Sequence, residues 1–260
     1  MAEEFAVYCF FPKPRLLSND RERISFREIC RFFIENGTSP GVAIGEEHKL
    51  GGTSYRILPT LLPSKVGSLD EAAEKIQEAK GGSLDLVLKS KGWLSLDLQD
   101  GFSIYSHSSS VAWISFSLPE GCVKDFLTED RREEDKAVQA ASKMAKLAED
   151  FQVRFHPIWI CGGVATSRRL QEIFKDPPEM PELIEKVTRF NFFFWLNIFS
   201  SEILIGRHIS KLEEKVISIE KAYYQAKYRQ KIERFAWLQD GSVTYIGSIN
   251  PYRVPDRLLD

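Results

Sequence analysis

Residues that commonly bind metals or form disulfide bonds are scarce in this sequence. Four cysteines and four histidines are spread over 260 residues, without a C-x-x-C or H-x-x-x-H pair. Zinc sites and dense disulfide frameworks normally show such spacings. The cysteines are Cys9, Cys30, Cys122 and Cys161. The pattern therefore predicts no metal ion, no cofactor and reduced thiols, which is typical of a cytosolic protein.

The sequence also has little net charge and no long apolar run. A formal net charge of −2 excludes a chain-wide attraction to nucleic acid or anionic lipid, so such binding would have to be local. The longest uncharged apolar stretch, Phe190 to Phe199, is far shorter than the roughly 20 residues of a transmembrane helix. The segment Met1 to Glu4 is acidic and lacks the features of a secretory signal. We therefore expect a cytoplasmic protein that does not contact membranes.

What the sequence does contain is a long alternating segment between Ser83 and Leu118. Apolar residues occupy every second position, and Asp85, Lys89, Ser95, Asp97, Ser115 and Ser117 lie between them. Alternation with a period of two is typical of strands with one wet face. The apolar sets are Leu84/Leu86/Leu88, Leu94/Leu96/Leu98, Phe102/Ile104 and Ala112/Ile114/Phe116/Leu118. With short turn-forming separators, the segment predicts an antiparallel β-meander of four strands.

Helix and strand signals on both sides of the meander predict an α+β fold with helices packed on the sheet. The predicted helices run from Ser25 to Asn36, from Ser68 to the glycines at 81 and 82, from Arg132 to Asp150, and from Ile209 to Ala226. The further strands are Phe5–Phe11, residues 151–160, Phe190–Phe199, and a hairpin at Phe235–Ile246 that turns at Asp240-Gly241. We expect a single α+β domain over residues 1–260, in which the charged segment 119–135, with Pro119 and Gly121, predicts a boundary between two lobes.

The decapeptide FNFFFWLNIF, Phe190 to Phe199, has apolar side chains on both faces of a predicted strand. A strand that is apolar on both faces is expected inside a sheet that is covered on both sides. Platforms that stack nucleic-acid bases combine aromatic with basic residues, and here only Arg189 is nearby. The decapeptide is therefore predicted to belong to the core.

Two motifs partly match a catalytic or a phosphate-binding pattern but lack the sequence or secondary-structure context that such a site requires. Gly37 to Gly41 matches G-x-S-x-G, but a nucleophile elbow requires a strand before the serine and a helix after it. Here a predicted helix precedes, so we interpret the motif as a helix stop and a turn. Gly162-Gly163, followed by Thr166, predicts a tight strand-to-helix turn rather than a phosphate loop.

Two alternatives to simple binding remain open. A hydrolase or nucleic-acid-processing enzyme could assemble its site from residues distant in sequence. The first residues to test are Asp97, Asp100, His107 and His208, a set that contains carboxylates and imidazoles suited to acid–base work. An RNA-binding protein could use Lys227, Arg229 and Lys231, which lie among tyrosines in a basic tract.

The C-terminal quarter of the chain resembles immunity proteins of bacterial polymorphic-toxin systems. The resemblance consists of a strand with an asparagine and an aromatic residue, an Ile-Gly-Arg segment, and an Asp-Gly hairpin before a proline. The matching residues are Asn197, Phe199, Ile205, Gly206, Arg207, Asp240, Gly241 and Pro251. The resemblance implies a cytoplasmic, non-catalytic protein that binds and neutralises a cognate toxin.

These observations favour a non-enzymatic intracellular module that binds a protein partner, without catalytic residues. The meander and its turns supply one candidate surface, and the basic tract supplies another. The candidate partner-binding residues are Asp97, Asp100, His107, Lys227, Arg229 and Lys231.

Overall fold

The structure is a computed structural model. It describes residues 5–18, 23–40, 53–57, 64–66, 68–88, 92–100, 110–118, 131–164, 166–167, 170, 183, 194–202 and 232–247. The helices are α1 (Lys13–Leu17), α2 (Phe26–Glu35), α3 (Leu69–Glu78) and α4 (Arg131–Phe155). The strands are β1 (Phe5–Pro12), β2 (Thr38–Pro40), β3 (Thr53–Ile57), β4 (Ser64–Val66), β5 (Gly81–Leu88), β6 (Gly92–Asp100), β7 (Val111–Leu118), β8 (Trp159–Val164), β9 (Leu196–Phe199), β10 (Ile232–Trp237) and β11 (Val243–Gly247).

All these strands belong to one open sheet. Its order is β10-β11-β9-β8-β1-β7-β6-β5-β3-β4, and β2 pairs with β5 outside this path. Neighbouring strands are antiparallel, so the predicted α+β class is confirmed. Strands from both sides of residues 119–130 join the same sheet, and those residues themselves lie outside the described ranges.

Three strands of the predicted meander are present as β5, β6 and β7. Each pairs with the next, and their apolar alternation places Leu84, Leu96 and Ile114 on one buried face. Because β6 pairs directly with β7, no strand lies between them. The fourth predicted strand, Phe102/Ile104, falls outside the described residues.

Two apolar clusters pack on opposite faces of the sheet. On the first face, α2, α3 and α4 cover the sheet and contribute residues such as Phe33, Ile76 and Phe151. On the second face, the cluster contains residues of β1, β7, β8, β9 and β11 together with Ile158, Leu170, Leu183 and Phe194. The second face is thus apolar over one half of the sheet, centred on β1 and β8.

The aromatic decapeptide belongs to the core, as predicted, in the part that the structure describes. Residues 196–199 form β9, which lies between β8 and β11 and is buried along its whole length. Leu196 and Ile198 pack on the first face, whereas Phe199 packs on the second. The preceding Phe194 and Trp195 are also buried. These rings are therefore not available as a stacking platform.

The capping signals correctly locate two helix starts. Ser25 and Glu28 form a capping box at the start of α2, and the Ser68 hydroxyl accepts a hydrogen bond from the Glu71 N–H at the start of α3. Gly37 follows α2 with a φ of 108°, a conformation that a glycine adopts without strain.

The expected strand at residues 151–160 is wrong in its first half. Helix α4 continues to Phe155, because Phe151 and Phe155 extend its buried stripe of Ala141, Ala145 and Ala148. His156, with a φ of 49°, ends the helix just before Pro157. The strand β8 then begins only at Trp159.

The C-terminal hairpin is confirmed. Strands β10 and β11 pair in antiparallel fashion, and Gly241 has a φ of 78° in the turn between them. The Gly241 N–H donates to the Leu238 carbonyl, and the Leu238 N–H donates to the Ser242 carbonyl.

Candidate functional site

A row of polar residues crosses the second face of the sheet where the apolar cluster ends. The strand register places Tyr8 opposite Ser115, Ser115 opposite Asp97, and Asp97 opposite Ser83. Residues opposite one another in antiparallel strands lie on the same face. We call Ser83, Asp97 and Ser115 the polar row.

The polar row leads from the core toward solvent. Ser115 is only 3% exposed, and Tyr8 beside it packs against Trp113 with ring centroids 4.8 Å apart. Asp97 and Ser83 are partly exposed. The Ser115 hydroxyl donates to Asp97 Oδ2 at 3.4 Å, a long contact that helps to orient the carboxylate. The row therefore holds a negative charge at the boundary between packed and accessible surface.

The register also extends the row beyond β5. Residue Arg56 of β3 lies opposite Ser83, and residue Lys65 of β4 lies opposite Ser54. Since alternate residues of a strand share a face, residues 54 and 56 belong to the same face as the polar row. By the same alternation, Asp85, which pairs with Ser95, belongs to that face of β5.

The described part of the chain does not bring the predicted site residues together on one face. Asp97 is in the polar row on the second face, whereas Asp100, at the end of β6, pairs with Ala112, a residue of the first-face cluster. His107, His208, Lys227, Arg229 and Lys231 lie outside the described residues.

A second cluster, which the sequence did not predict, surrounds Asp240 in the hairpin turn. The Ser242 N–H donates to Asp240 Oδ1 at 3.0 Å, and the Ser242 hydroxyl donates to the same oxygen. Gln152 Nε2 donates to Asp240 Oδ2 at 3.3 Å, and His156 Nδ1 lies 3.2 Å from that oxygen. We call Asp240 and these three donors the Asp240 network. It joins the end of α4 to the C-terminal hairpin.

The Asp240 network holds an ionised carboxylate. Burial opposes ionisation of Asp240, but hydrogen bonds from Ser242, Gln152 and His156 outweigh it and hold the pKa of this carboxyl below its ordinary value. An ionised carboxylate only accepts hydrogen bonds, so Nδ1 of His156 carries the hydrogen in this contact. The Asp240 side chain is 10% exposed and the His156 side chain is 48% exposed.

The connectivity of this network differs from that of a hydrolytic triad. In a triad the serine hydroxyl bonds the second imidazole nitrogen, whereas here Ser242 bonds the carboxylate. The backbone of His156 is also committed to ending the helix: its N–H donates to the Gln152 carbonyl at 2.9 Å, and its carbonyl accepts from Arg15 Nη1 at 2.7 Å. The geometry therefore supports a structural tie between the helix and the hairpin.

The other candidate nucleophiles, Ser39 and the cysteines, lie in positions that do not suit a catalytic nucleophile. The G-x-S-x-G serine, Ser39, lies in β2 directly after α2, which is the reverse of the strand-to-helix order that a nucleophile elbow needs. Cys9, Cys30 and Cys161 are free and buried, and burial raises the pKa of each thiol. Thiols with a raised pKa form little thiolate and are poor nucleophiles.

Within the described residues, no group of three or more His, Cys, Asp or Glu side chains could hold a metal ion. No helix among them combines the length and apolar character that crossing a bilayer requires.

Comparison of the chain with protein-family models, with curated proteins and with solved structures found no match.

Proposed function

We propose that this chain is a non-enzymatic, intracellular protein-binding module. It binds its partner through the part of the second sheet face on β5 and β6, which we call the polar half. The observation that carries the proposal is the change of character along that face. Over β1, β8 and β9 the face is buried and mostly apolar, and its polar residue Asn197 accepts a hydrogen bond from Trp159 Nε1. In contrast, Ser83 and Asp97 on β5 and β6 are polar and partly exposed. A partly exposed polar sheet face with a fixed charge is suited to recognition of another protein surface.

The more specific form of the proposal is neutralisation of a toxin in the cytoplasm. It is supported by the resemblance of the C-terminal quarter to immunity proteins of bacterial polymorphic-toxin systems. The strand with Asn197 and Phe199 and the hairpin with Asp240-Gly241 carry this resemblance, and β9 and β11 are neighbours in the sheet.

The binding proposal is tested by quantitative capture from a lysate of the chain's own host, followed by titration of the purified partner. The bait proteins are the wild type, Asp97→Asn and Asp97→Lys. A partner that binds in a 1:1 ratio is expected to bind Asp97→Lys at least about tenfold more weakly, because the substitution reverses the charge at the proposed contact.

The matched control is Glu78→Lys. Glu78 is exposed on α3, which covers the opposite face, and its replacement makes the same change in net charge. This variant is expected to bind like the wild type. A partner that binds all the variants equally would show that the polar half is not the binding surface, and failure to find any saturable partner would contradict the proposal.

The toxin-specific form has its own test. Expression of the captured partner alone should stop growth of a bacterial cell, and coexpression of the wild-type chain should restore it. Coexpression of Asp97→Lys, at an equal protein level, should restore growth less well. A partner that does not affect growth would contradict neutralisation and leave the binding module in place.

A further inference from the structure

The C-terminal hairpin, formed by β10 and β11, lies at one end of the sheet and is joined to it by a short ladder. Among the described strands, β11 alone connects the hairpin to the body, by pairing with the four residues of β9. One further backbone bond, from the Gly247 N–H to the Trp195 carbonyl, continues this ladder. In contrast, β1 in the middle of the sheet pairs over eight residues with β7 and over six with β8. Backbone pairing therefore holds the hairpin less firmly than the central strands.

The contact between the hairpin and the body buries polar atoms that make no hydrogen bond. Thr244 of β11 lies opposite Ile198 and is fully buried, and its hydroxyl oxygen has no hydrogen-bond partner among the described residues. Gln152, which reaches the hairpin from α4, is also fully buried, and its Oε1 atom has no partner in the same part of the chain. Water can bond both atoms once the hairpin moves away. Opening therefore recovers part of the cost of their desolvation.

The hydrogen bonds of the Asp240 network fall into two groups. Both bonds from Ser242 lie within the hairpin turn, so they stay intact when the hairpin moves as a unit. The bonds from Gln152 Nε2 and His156 Nδ1, at 3.3 and 3.2 Å, instead cross from the end of α4 to Asp240 Oδ2. We call these two crossing bonds the latch. Because the His156 side chain is 48% exposed, water can replace its half of the latch without unfolding the helix.

We infer that the C-terminal hairpin opens from the sheet as a unit while the rest of the sheet stays folded, and that the latch sets how often it opens. Native proteins commonly open in units that coincide with supersecondary motifs. Val243 and Ile246 are buried, so the closed form remains the major one. In the open form β9 becomes the edge of the sheet, and the backbone groups that it shares with β11 are free to bond another strand.

Hydrogen exchange of the full chain, followed by mass spectrometry of peptides that cover β11 and β1, tests this inference. The conditions are those in which the exchange rate reports the opening equilibrium. After correction for intrinsic rates, the amides of β11 that pair with β9 should exchange at least about tenfold faster than the paired amides of β1. Equal protection of the two strands would show that the hairpin opens only when the whole chain unfolds. The experiment needs no partner, so its outcome is independent of the proposed function.

His156→Asn tests the latch. Asparagine tolerates the positive φ of this position, so the end of α4 is kept while the imidazole bond to Asp240 is lost. The closed form is then destabilised relative to both the open form and the unfolded chain. Exchange should therefore become about twofold to fivefold faster in β11 and in β1 alike. An unchanged exchange rate in β11 would show that the latch does not hold the hairpin closed.

The matched variant is Ile76→Val on α3, a helix that packs on β3 and β5 in the other half of the sheet. Ile76 is fully buried, and loss of one methyl group should make exchange in β1 about twofold to tenfold faster through global unfolding. If the hairpin opens by itself, α3 stays packed in the open form, so exchange in β11 should not change. Equal acceleration of β11 and β1 by Ile76→Val would overturn the inference.

Discussion

The two halves of the sheet belong to one hydrogen-bonded framework, but the residues on their second face differ in polarity and burial. Over β1, β8 and β9, the second face carries aromatic residues such as Phe10, Trp159 and Phe199, all buried. Over β5 and β6, the same face carries Ser83 and Asp97, both partly exposed. The first face shows no such change, because apolar residues from both halves pack under the helices.

Under the proposed function, this difference separates stability from recognition within a single sheet. The half that is covered on both sides removes more apolar surface from water, and that burial is the main source of folding free energy. The half that is covered on one side is still held by the helices on its first face. Its second face can therefore present polar groups without being needed for the core.

The largest expected effect comes from removing an aromatic ring from the half that is covered on both sides. Phe10 is fully buried and stacks on Trp159 with centroids 5.0 Å apart. Phe10→Ala should lower the free energy of unfolding by about 3–5 kcal/mol, because it removes apolar burial and leaves a cavity. Denaturant titration measures this change.

The matched variant on the other half is Ser83→Ala, which removes a partly exposed hydroxyl. It should change the free energy of unfolding by no more than about 0.5 kcal/mol. If Phe10→Ala and Ser83→Ala had similar effects, the contrast between the two halves would be wrong.

A smaller loss of stability is expected from a substitution that adds a methyl group to a packed region than from one that leaves a cavity. A Cβ atom at Gly162 would lie 2.8 Å from Val7 Cγ2 and 3.0 Å from the Ala6 carbonyl oxygen. Gly162→Ala should therefore cost about 1–3 kcal/mol through overpacking between β8 and β1. Thermal or denaturant unfolding of the single variant checks this value.

Combining this change with Val7→Ala makes the test specific. The added methyl group then occupies part of the space that the valine vacates, so the two losses should add up to more than the loss of the double variant. Strict additivity would show that the Gly162 effect does not arise from the contact with Val7.

The Asp240 network should contribute a modest, acid-sensitive stability at the end of the covered half. Asp240→Asn should cost about 1–2 kcal/mol near pH 7, since the amide cannot accept every hydrogen bond that the carboxylate accepts. The folded-state pKa of Asp240 lies below its unfolded value, so this contribution is present above the unfolded pKa. It should disappear as the pH falls through the folded-state pKa.

The measurement is the difference in unfolding free energy between wild type and Asp240→Asn as a function of pH. Glu78→Gln, at an exposed carboxylate on α3, is the control and should change the free energy of unfolding near pH 7 by no more than about 0.5 kcal/mol. A difference for Asp240→Asn that stays constant down to pH 2 would contradict a contribution from the ionised carboxylate.

Periodicity in the sequence was sufficient to predict the buried face of the meander and the strand β9, and capping motifs were sufficient to predict the starts of α2 and α3. It was ambiguous at residues 151–155, because apolar residues at positions 151, 153 and 155 fit a strand as well as a helix. The helical alternative is favoured by the packing of Phe151 and Phe155 on Phe32, a tertiary contact.

The candidate site depended on information that a single sequence does not hold. Alternation predicted that Asp97 lies on the wet face, but the register that places it opposite Ser115 and Ser83 depends on the turns between consecutive strands, and the pairing that places Ser83 opposite Arg56 spans α3. The Asp240 network was missed because His156 and Gln152 are 84 and 88 residues from Asp240.

The most direct test of the division between the two halves is the affinity of Asp97→Asn for the purified partner, measured by calorimetric titration. The amide keeps the shape of the carboxylate and an oxygen that can accept from Ser115, so the free energy of unfolding should stay within about 0.5 kcal/mol of the wild type. The dissociation constant should nevertheless rise at least about fivefold, because the charge is lost at the contact. An unchanged dissociation constant for this variant would contradict the assignment of recognition to the polar half.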